Sequence, residues 1–338
     1  MRDVRIWLNH WFSTAYHIIE LIRRDDALNF HVIGSSQDEN SVYRAVCDEF
    51  YAEPAYEGDA RYAAFCLDFC REHGIEVFLP RRGMLAMAER AREFGELGVK
   101  LLAERGVETL KTLNDKARAY SRFGELGIGI VPQYKTVKTA EEFEEAYREL
   151  KMDGNRVCFK FTRDEGAASF RVVDDSILDE GGIWRSFNTK ITYRDAMTLL
   201  RNAGRFPDLL LMPYLSGTEV SADCLRTARG SIVIPRFKLA GRSERIMFDD
   251  GIISTCERIM REFGLECPFN AQFKFDGGVP YLLEVNTRLS GGVQMSCLAL
   301  NVNIPNIAVN QLLGTDKDWS FEKRSAVISY VETPVELK

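Results

Sequence analysis

The chain has 338 residues, 46% hydrophobic and 28% charged, which suits about two globular domains and excludes a mostly disordered polypeptide. Its 44 basic and 50 acidic residues leave a net charge of −6, so no general attraction to nucleic acid or an anionic membrane is expected. No apolar run reaches the ~18–20 residues of a membrane span, and residues 1–7 show no leader-like apolar core, so the expected location is cytoplasmic. The 8 cysteines are scattered without a CxxC pair. Cys66 and Cys70 lie one helical turn apart, a spacing open to a metal, but no second pair or suitably spaced His accompanies them, which favours packing.

In chain order, 4–8 reads as a strand and 15–24 as a helix striped by Ile18, Ile19, Leu21 and Ile22, with Ser13 or Thr14 as its cap. A strand at 30–36, a helix at 60–73 stopped by Gly74 and a strand at 75–80 follow, the pattern of a parallel sheet covered by helices. The first strand-to-helix turn, 9–13, contains no glycine, which argues against a Rossmann dinucleotide site there. From 113 the texture changes. Asn114-Asp115-Lys116 opens a helix to 126, and Thr139 with Glu142 forms a capping box for 140–151. Strands are expected at 157–161, 170–173, 209–214, 219–225, 232–238, 269–275 and 281–285, with helices at 193–203, 254–263 and 304–313.

Chemistry concentrates in 270–292. Asp276-Gly277-Gly278 marks a hairpin between two alternating strands. A three-residue loop, 277–279, sets Gln272 opposite Glu284 and gathers Gln272, Glu284 and Asn286 into an oxygen-rich cluster with Arg288 beyond it. Such hard donors suit Mg²⁺, which binds through few protein groups plus substrate phosphates. A solvated strand end is the alternative reading of any one of these residues.

This stretch, Asn270-Ala-Gln-Phe-Lys-Phe-Asp-Gly-Gly-Val-Pro-Tyr-Leu-Leu-Glu284-Val-Asn-Thr-Arg288-Leu-Ser-Gly-Gly292, resembles the metal hairpin of the ATP-grasp superfamily. Gln on its first strand is similar to the carbamoyl-phosphate synthetase large chain. Some stand-alone ATP-grasp proteins of bacterial stress clusters of the tellurium-resistance type look similar as well. The resemblance implies α/β and α+β architecture: a Rossmann-like pre-ATP-grasp domain at 1–112, then an ATP-grasp N-terminal lobe at 113–212 and a C-terminal lobe with the metal hairpin at 213–338. It implies ATP and Mg²⁺ as cofactors, with Mn²⁺ as the other candidate ion, held at Gln272, Glu284 and Asn286. Arg288, Lys238 and Arg245 would then serve catalysis.

The nucleotide would meet Lys116, Lys160 and Ser169, a hinge at Met212, Tyr214 and Leu215, and Glu219 at the ribose. Lys116 is equally read as a solvated first-turn lysine, and 240–245, with Arg242 and Arg245, as a solvated charged turn. The small-residue loop 164–169 departs from the glycine-rich pattern, and Met212 stands where the hinge usually has Glu. The implied activity is ATP-dependent ligation of a carboxylate to an amine or other nucleophile through an acyl phosphate. Phosphorylation of bicarbonate or carbamate and a nucleotide-binding regulator with weak turnover are the alternatives. Expected partners are ATP and small carboxylates and amines, with no nucleic acid and no membrane; a homodimer is compatible. The substrate pocket is expected between 9–13, 80–83 and 288–292, where Arg81 and Arg82 suit an anionic acceptor.

Overall fold

The structure, a computed structural model, describes all residues except 153, 165–167, 179–188, 316 and 338, with only the backbone at 177 and 178. Residues 1–111, 219–272 and 285–338 form one compact unit and 112–218 with 273–284 a second. Among the described residues no helix is long and apolar enough to cross a membrane.

The first unit opens with five parallel strands in the order Glu49–Ala52, Leu28–Ser36, Arg2–Asn9, Val77–Leu79, Lys100–Leu101. One flank of this sheet is cemented by Trp7, stacked at 4.3 Å on Phe69 and 4.1 Å on Phe78. Cys66 and Cys70 are buried in the same cluster, where burial pushes both thiols up, so they behave as small apolar groups. On the other flank, the helix Ala15–Ile22 buries Ile18, Ile19, Leu21 and Ile22. Thr14 occupies its cap position but its side chain makes no capping bond, so the expected cap is not formed. At its other end, Asn306 of a later helix, Ile304–Leu313, and Asn303, the residue before that helix, donate to the carbonyls of Ile22 (3.0 Å) and Leu21 (2.7 Å) that end the first helix.

A second sheet has the order Val279–Asn286, Phe269–Asp276, Glu219–Thr227, Gly230–Lys238, Glu244–Ile246, Ala326–Ile328. Its first two strands form the hairpin, whose outer part, 273–284, is counted in the second unit. The hairpin turn is not the expected three-residue loop. The strands end at Asp276 and resume at Val279, leaving Gly277 and Gly278 with φ of 55° and 82°. Two consecutive left-handed residues are what a type I′ turn needs, and its twist matches the strands it joins. Glycine supplies that conformation at no steric cost, so Gly-Gly selects the shorter loop.

The second unit carries a five-stranded sheet, Lys135–Val137, Leu209–Pro213, Val157–Phe161, Arg171–Val173, Lys190–Ile191, antiparallel except for its last pair. Helices Ala140–Met152 and Tyr193–Ala203 cover one face through Phe143, Leu150 and Met197. The box at 139–142 forms in altered shape: Thr139 Oγ1 accepts from Glu142 N (3.2 Å), and Glu142 accepts from Lys138 N (2.6 Å) rather than from the cap residue.

Within this unit a strap, Ser216–Thr218, is sewn to the hairpin by Gly217 N to Phe275 O (3.1 Å) and Phe275 N to Thr218 O (2.9 Å). A Cβ on Gly217 would stand 2.3 Å from the Phe275 carbonyl oxygen, a contact only backbone movement relieves. Gly217→Ala is therefore expected to destabilise the protein by about 1–3 kcal/mol. Chemical denaturation reads this directly, and an unchanged midpoint would refute the close approach.

Candidate active site

In the second unit the site is built from the helix Lys116–Leu126 and the strand Val157–Phe161. Asp115 caps that helix, accepting from Ala117 N (3.2 Å) and Arg118 N (3.3 Å), and also holds Arg163 Nε at 3.0 Å. Lys116 is thereby fixed as the first helical residue, its own N–H donating to Thr162 O at 2.9 Å. Its ammonium is buried, donating to Asp164 O at 2.8 Å and lying 3.5 Å from Glu284 Oε2. The solvated reading of Lys116 is thus excluded.

Lys160 is 8% exposed. Burial lowers its ammonium to about pH 8, against the opposing pull of Glu284, and Lys116 adds repulsion. Two buried ammonium groups near one carboxylate form a place that favours an added anion. Opposite Lys160 in the ladder is Leu210, and opposite Cys158 is Met212, so Met212 faces the same side as Lys160. The hinge then turns: Tyr214 N donates to Arg156 O (2.6 Å), Leu215 is buried, and the Tyr214 ring carries the Arg156 guanidinium at 4.8 Å and Lys274 Nζ at 5.6 Å. Ser169 ties its loop down, its hydroxyl accepting from Phe161 N (2.8 Å) and donating to Asp164 (2.5 Å). The expected small-residue loop falls partly on 165–167, outside the described residues.

The first unit holds the other expected residues. Lys238 is ion-paired with Glu219, its neighbour across the ladder. Arg245 does not join them. It pairs with Phe237, whereas Lys238 pairs with Glu244, so Arg245 lies on the opposite face of the sheet and is exposed. A one-residue offset decides this, and a turn of unknown length could not reveal it. Arg288 donates from its N–H to Asn286 O (2.8 Å), and its guanidinium lies 5.4 Å from the Phe12 ring. Gln272 and Asn286 are half-buried.

Sequence reasoning missed the most connected group of this unit. Ser221, Asp223, Arg236 and Glu244 share the face of Glu219 and Lys238. Arg236, 2% exposed, donates to Asp223 (2.9 Å), Ser221 (3.2 Å) and Ser290 (3.0 Å) and pairs with Glu244. Asp223 further accepts from Ser290 and Ser296, both at 2.6 Å, and from Asn270 at 3.1 Å. The available signal was the polar alternation Glu219-x-Ser221-x-Asp223 within otherwise apolar strands.

Residues 205–334 match the model of a family described as ATP-grasp in the biosynthetic pathway with Ter operon. No curated protein matches the chain in sequence. Among solved structures, N5-carboxyaminoimidazole synthetase from Staphylococcus aureus, complexed with ADP, is similar at TM-score 0.73 and 14% identity, over 98% of this chain and 83% of that one. The biotin carboxylase domain of 2-oxoglutarate carboxylase from Hydrogenobacter thermophilus, in complex with MgADP, ADP and bicarbonate, is similar at TM-score 0.68 and 18% identity, covering 96% and 73%. An L-amino acid ligase from Bacillus licheniformis is similar at TM-score 0.64 and 13% identity, covering 92% and 75%.

Proposed function

We propose, from the premise that this chain has the ATP-grasp fold, that it is an ATP-dependent ligase joining a carboxylate to an amine or related nucleophile. The observation that carries the reading is the pair of buried ammonium groups, Lys116 and Lys160, held against Glu284. Buried cations that burial and mutual repulsion disfavour are stabilised by a polyphosphate, which repays their desolvation.

The nucleotide base would lie at Met212, Tyr214 and Leu215, and Glu219 would take the ribose hydroxyls. Ser169 holds the loop beside the phosphates. On the family resemblance Gln272, Glu284 and Asn286 would hold Mg²⁺; the two-residue turn sets Gln272 opposite Leu283, so this set rests on the resemblance and not on the turn's register. One carboxylate and two amides are too weakly charged to retain that ion alone, and they suit one that arrives with phosphate oxygens. When bound, the ion neutralises charge on the phosphates.

In the reaction a carboxylate oxygen attacks the γ-phosphorus and the bond to the bridging oxygen breaks, releasing ADP. The nucleophile then attacks the acyl carbon, loses a proton and expels inorganic phosphate. Lys160 and Lys116 fix the phosphates for in-line attack, and Arg288 and Lys238 stabilise charge on the transferred group.

The decisive assay is ADP release with Mg·ATP across panels of carboxylates and amines. Glu284→Gln is expected to lower the rate by roughly 10²-fold or more. Mg·ATP binding without turnover on any pair of substrates would refute the ligase reading.

A further inference from the structure

The face of the second unit's sheet that carries Lys160 can be followed residue by residue. Leu210 stands opposite Lys160 and Met212 opposite Cys158, and residues opposite each other in a ladder point the same way. The bond from Tyr214 N to Arg156 O continues that pairing, so Tyr214 follows Met212 on the same side. Val157, Phe159, Leu209 and Leu211 point the other way, into the core under the helices. The face opposite that core is a track, with Lys160 at one end, Cys158 and Met212 in the middle, and Tyr214 beyond them. At ~3.3 Å per residue, residue 156 lies roughly 13 Å along it from residue 160.

Lys274 stands at the far end. It is half-buried on the hairpin strand Phe269–Asp276, next to Phe275, which the strap Ser216–Thr218 holds by two backbone bonds. Its ammonium lies 5.6 Å from the centre of the Tyr214 ring, which the Arg156 guanidinium also approaches, at 4.8 Å. The two cations differ in one respect. Arg156 has a carboxylate, Asp174, at 3.4 Å, whereas Lys274 has no ion pair among the described residues.

Between the two ends lies the Cys158 thiol, which donates to the hinge carbonyls of Met212 (3.6 Å) and Pro213 (3.8 Å). Burial pushes that thiol up, while Lys160, Lys274 and Arg156 pull it back, so it feels cations from both ends of the track.

Phosphates held at Lys160 set where the rest of a nucleotide can go. Cys158 and Met212 offer an apolar floor to the base, and the base edge farthest from the sugar then points toward Lys274. An ammonium is a donor only, so it can bond adenine through a ring nitrogen but not through the 6-amino group, itself a donor. The ring nitrogen on the far edge is N1.

We propose that Lys274 is a specificity-determining residue that reads the nucleobase, donating to a ring nitrogen of adenine, N1, from the end of the track opposite Lys160. The inference rests on the nucleotide reading above and adds to it a charged base contact made from outside the hinge. A bond from a charged donor contributes more than one between neutral groups, so this contact should show in affinity.

Calorimetric titration of the full chain with the Mg²⁺ complexes of ATP and of 1-deaza-, 3-deaza- and 7-deaza-ATP tests it. The parent should bind 1-deaza-ATP, in which C–H replaces N1, at least about tenfold more weakly than ATP. Lys274→Met should bind ATP about tenfold more weakly and no longer distinguish it from 1-deaza-ATP, while Lys274→Arg restores part of the distinction. The same erasure seen with the 3-deaza or 7-deaza compound instead keeps the base contact and moves it to that nitrogen.

Equal losses for all four nucleotides in Lys274→Met, as for a cation that only attracts the phosphates, overturn the proposal. A parent that binds all four alike overturns it too, and that comparison needs no substitution, so it stands even if a variant fails to fold. Discrimination as expected with no ADP release on any substrate pair sinks the ligase reading alone. A parent that binds none of the nucleotides sinks both.

Discussion

Lys160→Met is expected to separate stability from binding in opposite directions. The buried ammonium is lowered from 10.5 to about 8, chiefly by burial, so between those pH values the unfolded chain binds the proton more tightly than the folded one. The linkage sign follows: stability rises with pH through that window, and below about 8 the folded protein carries the full penalty of the buried charge. Methionine fills a similar volume without charge. The variant should unfold on the order of 1–3 kcal/mol later than the parent at pH 7, a few degrees in Tm, with the advantage fading above pH 8.

Mg·ATP affinity should fall roughly 100-fold, the worth of a charge-assisted bond to phosphate in a water-poor site. Thermal scans at pH 7 and pH 10 beside calorimetric nucleotide titration make the comparison. A variant less stable than the parent at pH 7 would show that Glu284 already offsets the charge of Lys160.

The second large effect concerns Arg236. Its guanidinium is the shared partner of Asp223 and Glu244, and it also reaches Ser290 in the loop that carries Arg288. Arg236→Met leaves the buried Asp223 and the half-buried Glu244 without their cation, and stranding a buried charge typically costs about 3–5 kcal/mol. Adding Asp223→Asn removes one stranded charge, so the double variant should recover part of that loss; this coupling distinguishes the charge network from simple packing. Urea unfolding of the two single variants and the double variant supplies the cycle. If Arg236→Met shifts the midpoint by less than about 0.5 kcal/mol, the network is not what anchors the loop.

Much of the fold was legible because its signals are local. The 304–313 and 193–203 helices and the 157–161 strand lie where periodicity and flanking residues put them. What escaped was tertiary in origin. Helix Val293–Leu300 is buried nearly all round, with Leu298 exposed, and starts at Gly292 without a side-chain cap, so it shows neither an apolar stripe nor a start signal. Strand Glu49–Ala52 has four residues at a sheet edge and no alternation. Lys160 could be singled out as a charge in an apolar run, which is a local oddity. The environment of Lys116 could not, because its partner Glu284 is 168 residues away in sequence. Arg245 illustrates the converse: the family resemblance groups it with Lys238, and the turn between their strands sets it on the opposite face.

Both units are assembled from separated stretches of chain, and this has a consequence during synthesis. The apolar face of the helix Ala15–Ile22 is closed by residues of Ile304–Leu313, and the bond from Asn306 to the Ile22 carbonyl spans 284 positions. At about 5–20 residues per second, a ribosome needs between roughly 15 and 60 seconds to deliver that partner. For that interval the surface of this helix that Ile304–Leu313 meets lacks its cover, while the parallel strands 2–101, which pack its other side, are already outside. That surface closes only when Ile304–Leu313 docks, so this side of the first sheet completes its packing long after its own strands have emerged.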